Sequence, residues 1–248
     1  MFNSPLEQFE ILPLLSFGAN LFDFSITNAM LTTCVSLSFF LFLFYCLFSY
    51  GLNSFPTRWQ LVLEGLYTST AGLVWDSVGP RRPKVFPFLF VIFSFILISN
   101  VQGLVPYSFT ITSHLIQTMV LALTVFIGVI IIVLAHGFHM LSLFLPGGTS
   151  IVLAFLLVPI EIVSYVFKPL SLAVRLFANM MAGHTLLKVI AAVAWAMMGS
   201  GGLLLIAHIV PLGVLVILFG LELAVALIQA YVFTILSCIY INDAIVLH

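Results

Sequence analysis

Two apolar stretches, Ser150–Ala194 and Leu203–Ile241, dominate the second half of the chain. Only the short run Met197-Met198-Gly199-Ser200-Gly201-Gly202 lies near their junction. As helices they would each reach about 60 Å, roughly double the thickness of a bilayer's hydrocarbon core. Ordinary tilts near 20° do not absorb that excess. Either each stretch breaks into two crossings, or both lie steeply tilted as a long hairpin. No polar turn interrupts either one, and Pro159, Pro169 and Pro211 stand isolated, as kinks do. The steep hairpin is the better reading.

Lipid is the solvent such a hairpin needs, and the composition agrees. Of 248 residues, 63% are hydrophobic and 6% charged, against about a quarter charged in a soluble domain. Mean hydropathy is +1.30. The apolar runs are continuous, whereas a membrane β-barrel alternates over about ten residues. An all-α polytopic membrane protein follows, as one membrane domain over residues 1–248. A net charge of −1 argues against a nucleic-acid partner. Cys34, Cys46 and Cys238 all sit in apolar runs and read as small buried hydrophobes. The first ten residues carry Glu7 and Glu10 but no basic residue, so no import signal is visible. A multispan chain of this kind fits synthesis inside the compartment that uses it.

The first half predicts a span at 29–50, an amphipathic interfacial helix at 57–78, and spans at 85–105 and 111–135. Helices at 150–194 and 203–241 complete the set. Arg58, Arg81, Arg82 and Lys84 fall between the first two spans. The positive-inside rule puts that connection on the cytoplasmic or matrix side and the N-terminus outside.

Arg175 lies deep in the first long stretch. Arginine does not usefully deprotonate in a protein, and at bilayer depth it costs from about 3 to over 10 kcal/mol. It needs a partner, a water-filled cavity or a task. Glu161, Lys168, Arg175 and Asn179 are spaced by seven, seven and four positions, so one helix carries them within about 60°. His184, nine positions past Arg175, points to the opposite side, and Lys188 follows one turn later. In the second stretch Glu222 and Gln229 share a face, and Asp243 stands near the end. An intramembrane carboxylate among apolar neighbours, as Glu222 is, is a functional candidate by default. Each residue also has a plainer reading. The lysines can snorkel to an interface. Arg175 can be half of a buried ion pair with Glu161 or Glu222. Asn179 and Gln229 can be helix–helix glue. His136 and His139 have metal-like spacing without further ligands nearby, so no metal is expected. No phosphate loop, dinucleotide fingerprint or nucleophile elbow occurs, and no cofactor is expected. Carboxylate and imidazole groups beside a permanent cation suit proton movement.

The run Ser171-Leu172-Ala173-Val174-Arg175-Leu176-Phe177-Ala178-Asn179-Met180-Met181-Ala182-Gly183-His184 resembles the signature of subunit a of the F-type ATP synthase. Asn3–Glu10, Asn100–Thr110, Gly220–Ala224 and Gln229–Ala244 resemble mitochondrial forms from plants and protists. The resemblance implies a non-catalytic stator subunit whose long hairpin packs against a ring of small helical hairpins, the c-ring. Two offset aqueous half-channels would reach the ring's carboxylate, and Arg175 would block a direct leak between them. Glu222 and His184 would line the inlet; Glu161 and Asp243 would line the outlet. Asn179, Gln229, Lys168 and Ser171 would be supporting polar residues. The implied partners are the c-ring, the peripheral-stalk and membrane stator subunits, lipid such as cardiolipin, and the transported proton. The implied location is the mitochondrial inner membrane, with the N-terminus in the intermembrane space. His184 stands where bacterial relatives often have the acid, which favours the mitochondrial form. A stand-alone transporter would show inverted repeats, and no second copy of the Arg175 segment occurs. A haem-binding redox subunit would show a Soret band.

Overall fold

A computed structural model describes residues 4, 6–19, 22–50, 58–79, 85–105, 108–135, 151–200, 202 and 207–245. The basic run Arg81–Lys84, the His136/His139 pair and Leu203–Ile206 lie outside the described residues, as do the side chains of Glu161, Asp243 and Cys46. Among the described residues six α-helices follow one another: α1 (Asn28–Tyr50), α2 (Arg58–Val78), α3 (Phe86–Gly103), α4 (Leu115–Ala135), α5 (Ile151–Ser200) and α6 (Ile209–Ile245). Phe86–Gly103, Leu157–Gly199 and Ile209–Asn242 are long and apolar enough to cross a membrane. Asn28–Phe42 and Leu115–Ile131 are shorter apolar stretches. The chain is an all-α polytopic membrane protein with one small addition at its start.

That addition is a hairpin of β1 (Pro13–Ala19) and β2 (Phe22–Thr27), paired antiparallel from Ala19↔Phe22 to Pro13↔Thr27. The sequence reading left this region unassigned. Its signal is the alternation Phe22-Asp23-Phe24-Ser25-Ile26-Thr27, a strand period outweighed by the helical runs that follow. Asn28 joins the hairpin to α1. Its Nδ2 donates to the Glu10 carbonyl at 3.0 Å, and its Oδ1 accepts from the Leu12 amide at 3.2 Å. The Thr27 hydroxyl accepts from the Met30 amide at 3.3 Å, as an N-cap does.

Several boundaries differ from expectation, each for a local reason. α4 begins at Leu115, not 111, because Ile111–Ser113 forms a 3-10 turn and His114 is extended. The Ser113 hydroxyl donates to the Thr110 carbonyl at 2.7 Å and holds that turn. α5 runs on to Ser200 instead of ending at 194. Ala194, Trp195, Ala196, Met197 and Met198 supply no breaker, and alanine and methionine are strong helix formers. Pro159 and Pro169 are accommodated inside the helix. α6 begins at Ile209, which places Pro211 in the first turn, where its missing N–H leaves no bond unmade. Cys34 is exposed on α1, contrary to the buried reading, while Cys238 is buried.

The chain divides into two compact units. Unit 1 comprises Met1–Phe42, Phe95–His114 and Leu176–Ala230. Its interior includes a cluster of Leu104, Met180 and Ala226. Asn100, fully buried, donates from Nδ2 to the Ala226 carbonyl at 3.2 Å and ties α3 to α6. The Ser108 hydroxyl lies 2.7 Å from the carbonyls of both Gln102 and Val105, closing the C-terminal end of α3. Unit 2 comprises Leu43–Ser94, Leu115–Arg175 and Tyr231–His248. Its interior holds Leu63 and Val74 of α2, Leu89 of α3, Val125 and Val129 of α4, and Leu172 of α5. Edge-on aromatic pairs bind Phe44 to Phe90 and Tyr67 to Phe86. The Phe88 ring packs on Gly128, where a Cβ would come within 3.0 Å of it.

The Asn100 bond gives a direct test of unit 1. Asn100→Ala is expected to lower stability by about 1–3 kcal/mol, combining a lost interhelical bond with a small cavity. Ser38→Ala removes a hydroxyl bonded only within its own helix and should stay within about 0.5 kcal/mol of the parent. Thermal unfolding in detergent, followed by circular dichroism, checks both.

Candidate functional site

The site in unit 1 lies where α5 and α6 approach each other closely. Two contacts define the pairing. His184 Nδ1 of α5 stands 3.4 Å from Glu222 Oε1 of α6. Asn179 Nδ2 of α5 donates to Gln229 Oε1 of α6 at 3.0 Å. As the α5 number falls the α6 number rises, so the helices run antiparallel here. Glu222 and Gln229 are two turns apart and share the face presented to α5, as their spacing predicts.

Glu222 is 5% exposed and His184's side chain 13%. Among the described residues neither Glu222 oxygen has a hydrogen-bond partner, nor do His184 Nε2 and Gln229 Nε2. A buried polar group without a partner is costly unless water or a proton satisfies it. A cavity of about 300 Å³ adjoins the pair, lined by Asn179, Gly183, Leu187, Leu218, Glu222 and Val225 among others. It has room for on the order of ten waters. Its walls are chiefly apolar, with Glu222 and Asn179 contributing the polar groups.

Gly183 is the residue whose role the sequence reading missed. A Cβ there would lie 2.8 Å from Glu222 Oε1 and 3.2 Å from its Cδ. The glycine is what lets the carboxyl group lie against α5. Its position immediately before His184 was a usable signal, but a glycine in an apolar helix also reads as ordinary close packing. Asn100 was the second omission. Its bond to Ala226, one turn past Glu222, steadies the acid-bearing part of α6.

Along α5, Ser171, Val174, Arg175, Ala178, Asn179 and Ala182 are exposed. Leu172, Ala173, Leu176 and Met180 are at most 2% exposed. Arg175 therefore sits on an outward strip of mostly small residues. It makes no ion pair among the described residues. Glu161 and Asp243 lie within α5 and α6. Lys168 is half-buried in unit 2, its ammonium 5.1 Å from the ring centres of both Tyr165 and Tyr240. Lys188 donates to the Ser4 carbonyl at 3.4 Å. Asn179 shares the Arg175 strip by spacing, yet it also reaches Gln229 and the cavity.

Fold and site together define an integral membrane protein of helices that carries a carboxyl–imidazole pair beside a cavity of about 300 Å³. Residues 29–242 match the family described as ATP synthase A chain. The chain is 47% identical to "ATP synthase subunit a" of Chondrus crispus over 247 residues, 99% of this chain and 97% of that one. It is 44% identical to the subunit a of Marchantia polymorpha over 249 residues, 99% of each chain. It is 44% identical to that of Pelagibacter ubique (strain HTCC1062) over 252 residues, covering both chains in full. The chain belongs to the ATP synthase A chain family.

The Gly183 contact yields a paired test. Gly183→Ala should push the Glu222 carboxyl group off α5 at a cost of under about 1 kcal/mol, since the end of a flexible side chain can shift and alanine favours the helix. Adding Glu222→Asp, which withdraws the carboxyl group by one methylene, should recover much of that loss. Thermal unfolding of the two variants and of Glu222→Asp alone measures the coupling. Strict additivity would exclude the contact.

Proposed function

We propose that this chain, as a member of that family, conducts protons to and from a rotating ring of carboxylate-bearing helical hairpins. It acts as a non-catalytic stator part of a rotary ATP synthase. The carrying observation is the Glu222–His184 pair, with both carboxyl oxygens unpartnered against a cavity large enough for water. A structural acid would have its oxygens bonded. One that exchanges protons needs a water-accessible side and a neighbour that can take or give a proton.

In this mechanism a proton enters through water, passes between His184 and Glu222, and moves along the cavity toward Asn179. Asn179 is held by Gln229 and lies one helical turn from Arg175. The proton neutralises a ring carboxylate there. Arg175 stays charged and prefers that carboxylate ionised, so the ring must turn before the proton can leave. Glu161 and Asp243 line the outlet, and Ser171 lies one turn from Arg175 toward that side. Each charge crossing 100 mV releases about 2.3 kcal/mol, which a leak past Arg175 would waste. The outward strip of Ser171, Ala178 and Ala182 around Arg175 gives a ring helix room for close approach. The ring carboxylate then supplies the counter-charge that the described residues do not.

The partners are the ring, the peripheral-stalk and membrane stator subunits, and lipid such as cardiolipin at exposed apolar helix faces. The location is the mitochondrial inner membrane, with the N-terminus toward the intermembrane space. The histidine at position 184, where bacterial relatives often carry the acid, and the plant and algal relatives support this location.

Arg175→Ala is expected to abolish proton-driven ATP synthesis in reconstituted complexes while ATP hydrolysis by the detached soluble head persists. Coupled synthesis at the parent rate would refute the barrier. Glu222→Gln should slow proton translocation on the order of 10²-fold, the scale of losing one proton-transfer group. Passive proton flow through the membrane sector, read with a pH-sensitive dye, measures it.

A further inference from the structure

Lys168 and its tyrosines form a feature that the pathway above does not use. In unit 2 the ammonium stands 5.1 Å from the ring centre of Tyr165 on its own helix and 5.1 Å from that of Tyr240 on α6. A lysine that merely snorkels extends toward the headgroups and leaves its ammonium in water. This one is held between two aromatic faces, whose negative potential suits a cation. Beside it a space of about 10 Å³ among Ala122, Val125, Phe126 and Leu172 is at or below the size of one water. On that side little solvent screens the charge.

Position makes the charge useful. Lys168 is seven residues, about 10 Å of helix, from Arg175 on the same stripe. It lies between Arg175 and Glu161. Tyr240, which grips it, is three residues from Asp243. Both outlet candidates are thus neighbours in sequence of the two elements that meet at this cage. Among the described residues, α4 lines the space beside the ammonium with Ala122, Val125, Phe126 and Val129. α5 offers Tyr165, with Glu161 and Arg175 each seven residues away. α6 offers Tyr240 and, beyond it, Asp243.

We propose that Lys168 is a second fixed cation on the outlet side, positioned by the Tyr165–Tyr240 cage so that a ring carboxylic acid loses its proton before meeting Arg175. The step is a simple acid dissociation. The carboxylic O–H bond breaks, the proton passes to outlet water, and the electron pair stays on the carboxylate. The Lys168 field favours that ionised form. Lys168 is a positioning residue for charge, and its role rests on the proton-conducting reading above.

The test uses the intact complex in liposomes, with ATP synthesis measured against the pH of the outlet side while the inlet pH is fixed. Lys168→Gln should move the outlet profile to higher pH by about half to one unit, because release then needs a lower proton concentration. Lys168→Arg, which keeps a cation that stacks on aromatic rings, should restore the parent profile. An unchanged profile for Lys168→Gln, or a lower maximum at every pH with no shift, would overturn the proposal. If Lys168→Gln fails to assemble, Tyr240→Leu replaces it and should shift the profile the same way, while Tyr240→Phe should not. Equal behaviour of those two would also overturn the proposal. Arg175→Ala in parallel separates the two readings. Coupled synthesis in that variant refutes the conduction mechanism itself, whereas its loss beside an unshifted Lys168→Gln refutes the cage alone.

Discussion

The contact between the Glu222 carboxyl group and the backbone at Gly183 sets how closely α5 and α6 run in unit 1. With no side chain at Gly183, the carboxyl carbon lies where a Cβ would be 3.2 Å away. That closeness brings Glu222 to His184 at 3.4 Å and, two turns along α6, lets Gln229 take the Asn179 amide at 3.0 Å. Asn100 reinforces the arrangement from α3 through the Ala226 carbonyl. The cavity follows from the same geometry. Gly183 and Glu222 themselves line it, with leucines and a valine of α5 and α6.

Much of the fold was legible because lipid imposes few choices. A continuous apolar run must be a helix when no water is present to satisfy its backbone. Its length bounds where it starts and stops. Helices α1 (Asn28–Tyr50) and α3 (Phe86–Gly103) accordingly cover the apolar runs at 29–50 and 85–105. The errors fall where that constraint weakens. α5 outran its expected end because composition gave no breaker before Gly199. The β-hairpin escaped notice because six alternating residues are a weak signal beside helical runs of twenty or more.

The candidate site divides along a similar line. Glu222, His184, Asn179 and Gln229 stood out as polar groups in apolar helices, and the structure brings them together in two pairs. Their faces within each helix followed from spacing. The pairing across helices did not, since it depends on which residues of α5 and α6 meet. Nor did spacing disclose that Asn179 would reach the same face of α6 as His184. The two lie about 140° apart on an ideal helix. The reach of the side chains and the closeness of the helices decide that contact. Gly183 was hard to read for the opposite reason: its contribution is an absent side chain.

Two kinds of charge are therefore placed by two kinds of structure. Lys168 and Arg175 lie on one helix at a seven-residue interval, so the rise of the helix fixes their separation without help from loops. Such constancy matters for charged side chains, since electrostatic energy changes continuously with distance. The carboxyl–imidazole pair is placed instead by packing between helices, where a few tenths of an ångström decide whether a hydrogen bond forms. At 3.4 Å, His184 and Glu222 stand just beyond a well-formed bond. A tight, fully bonded ion pair would hold its proton and resist passing it on. This pair stands slightly apart beside a cavity of about 300 Å³. The rise of one helix spaces the two basic residues, and packing between two helices sets the approach of the carboxyl and imidazole groups.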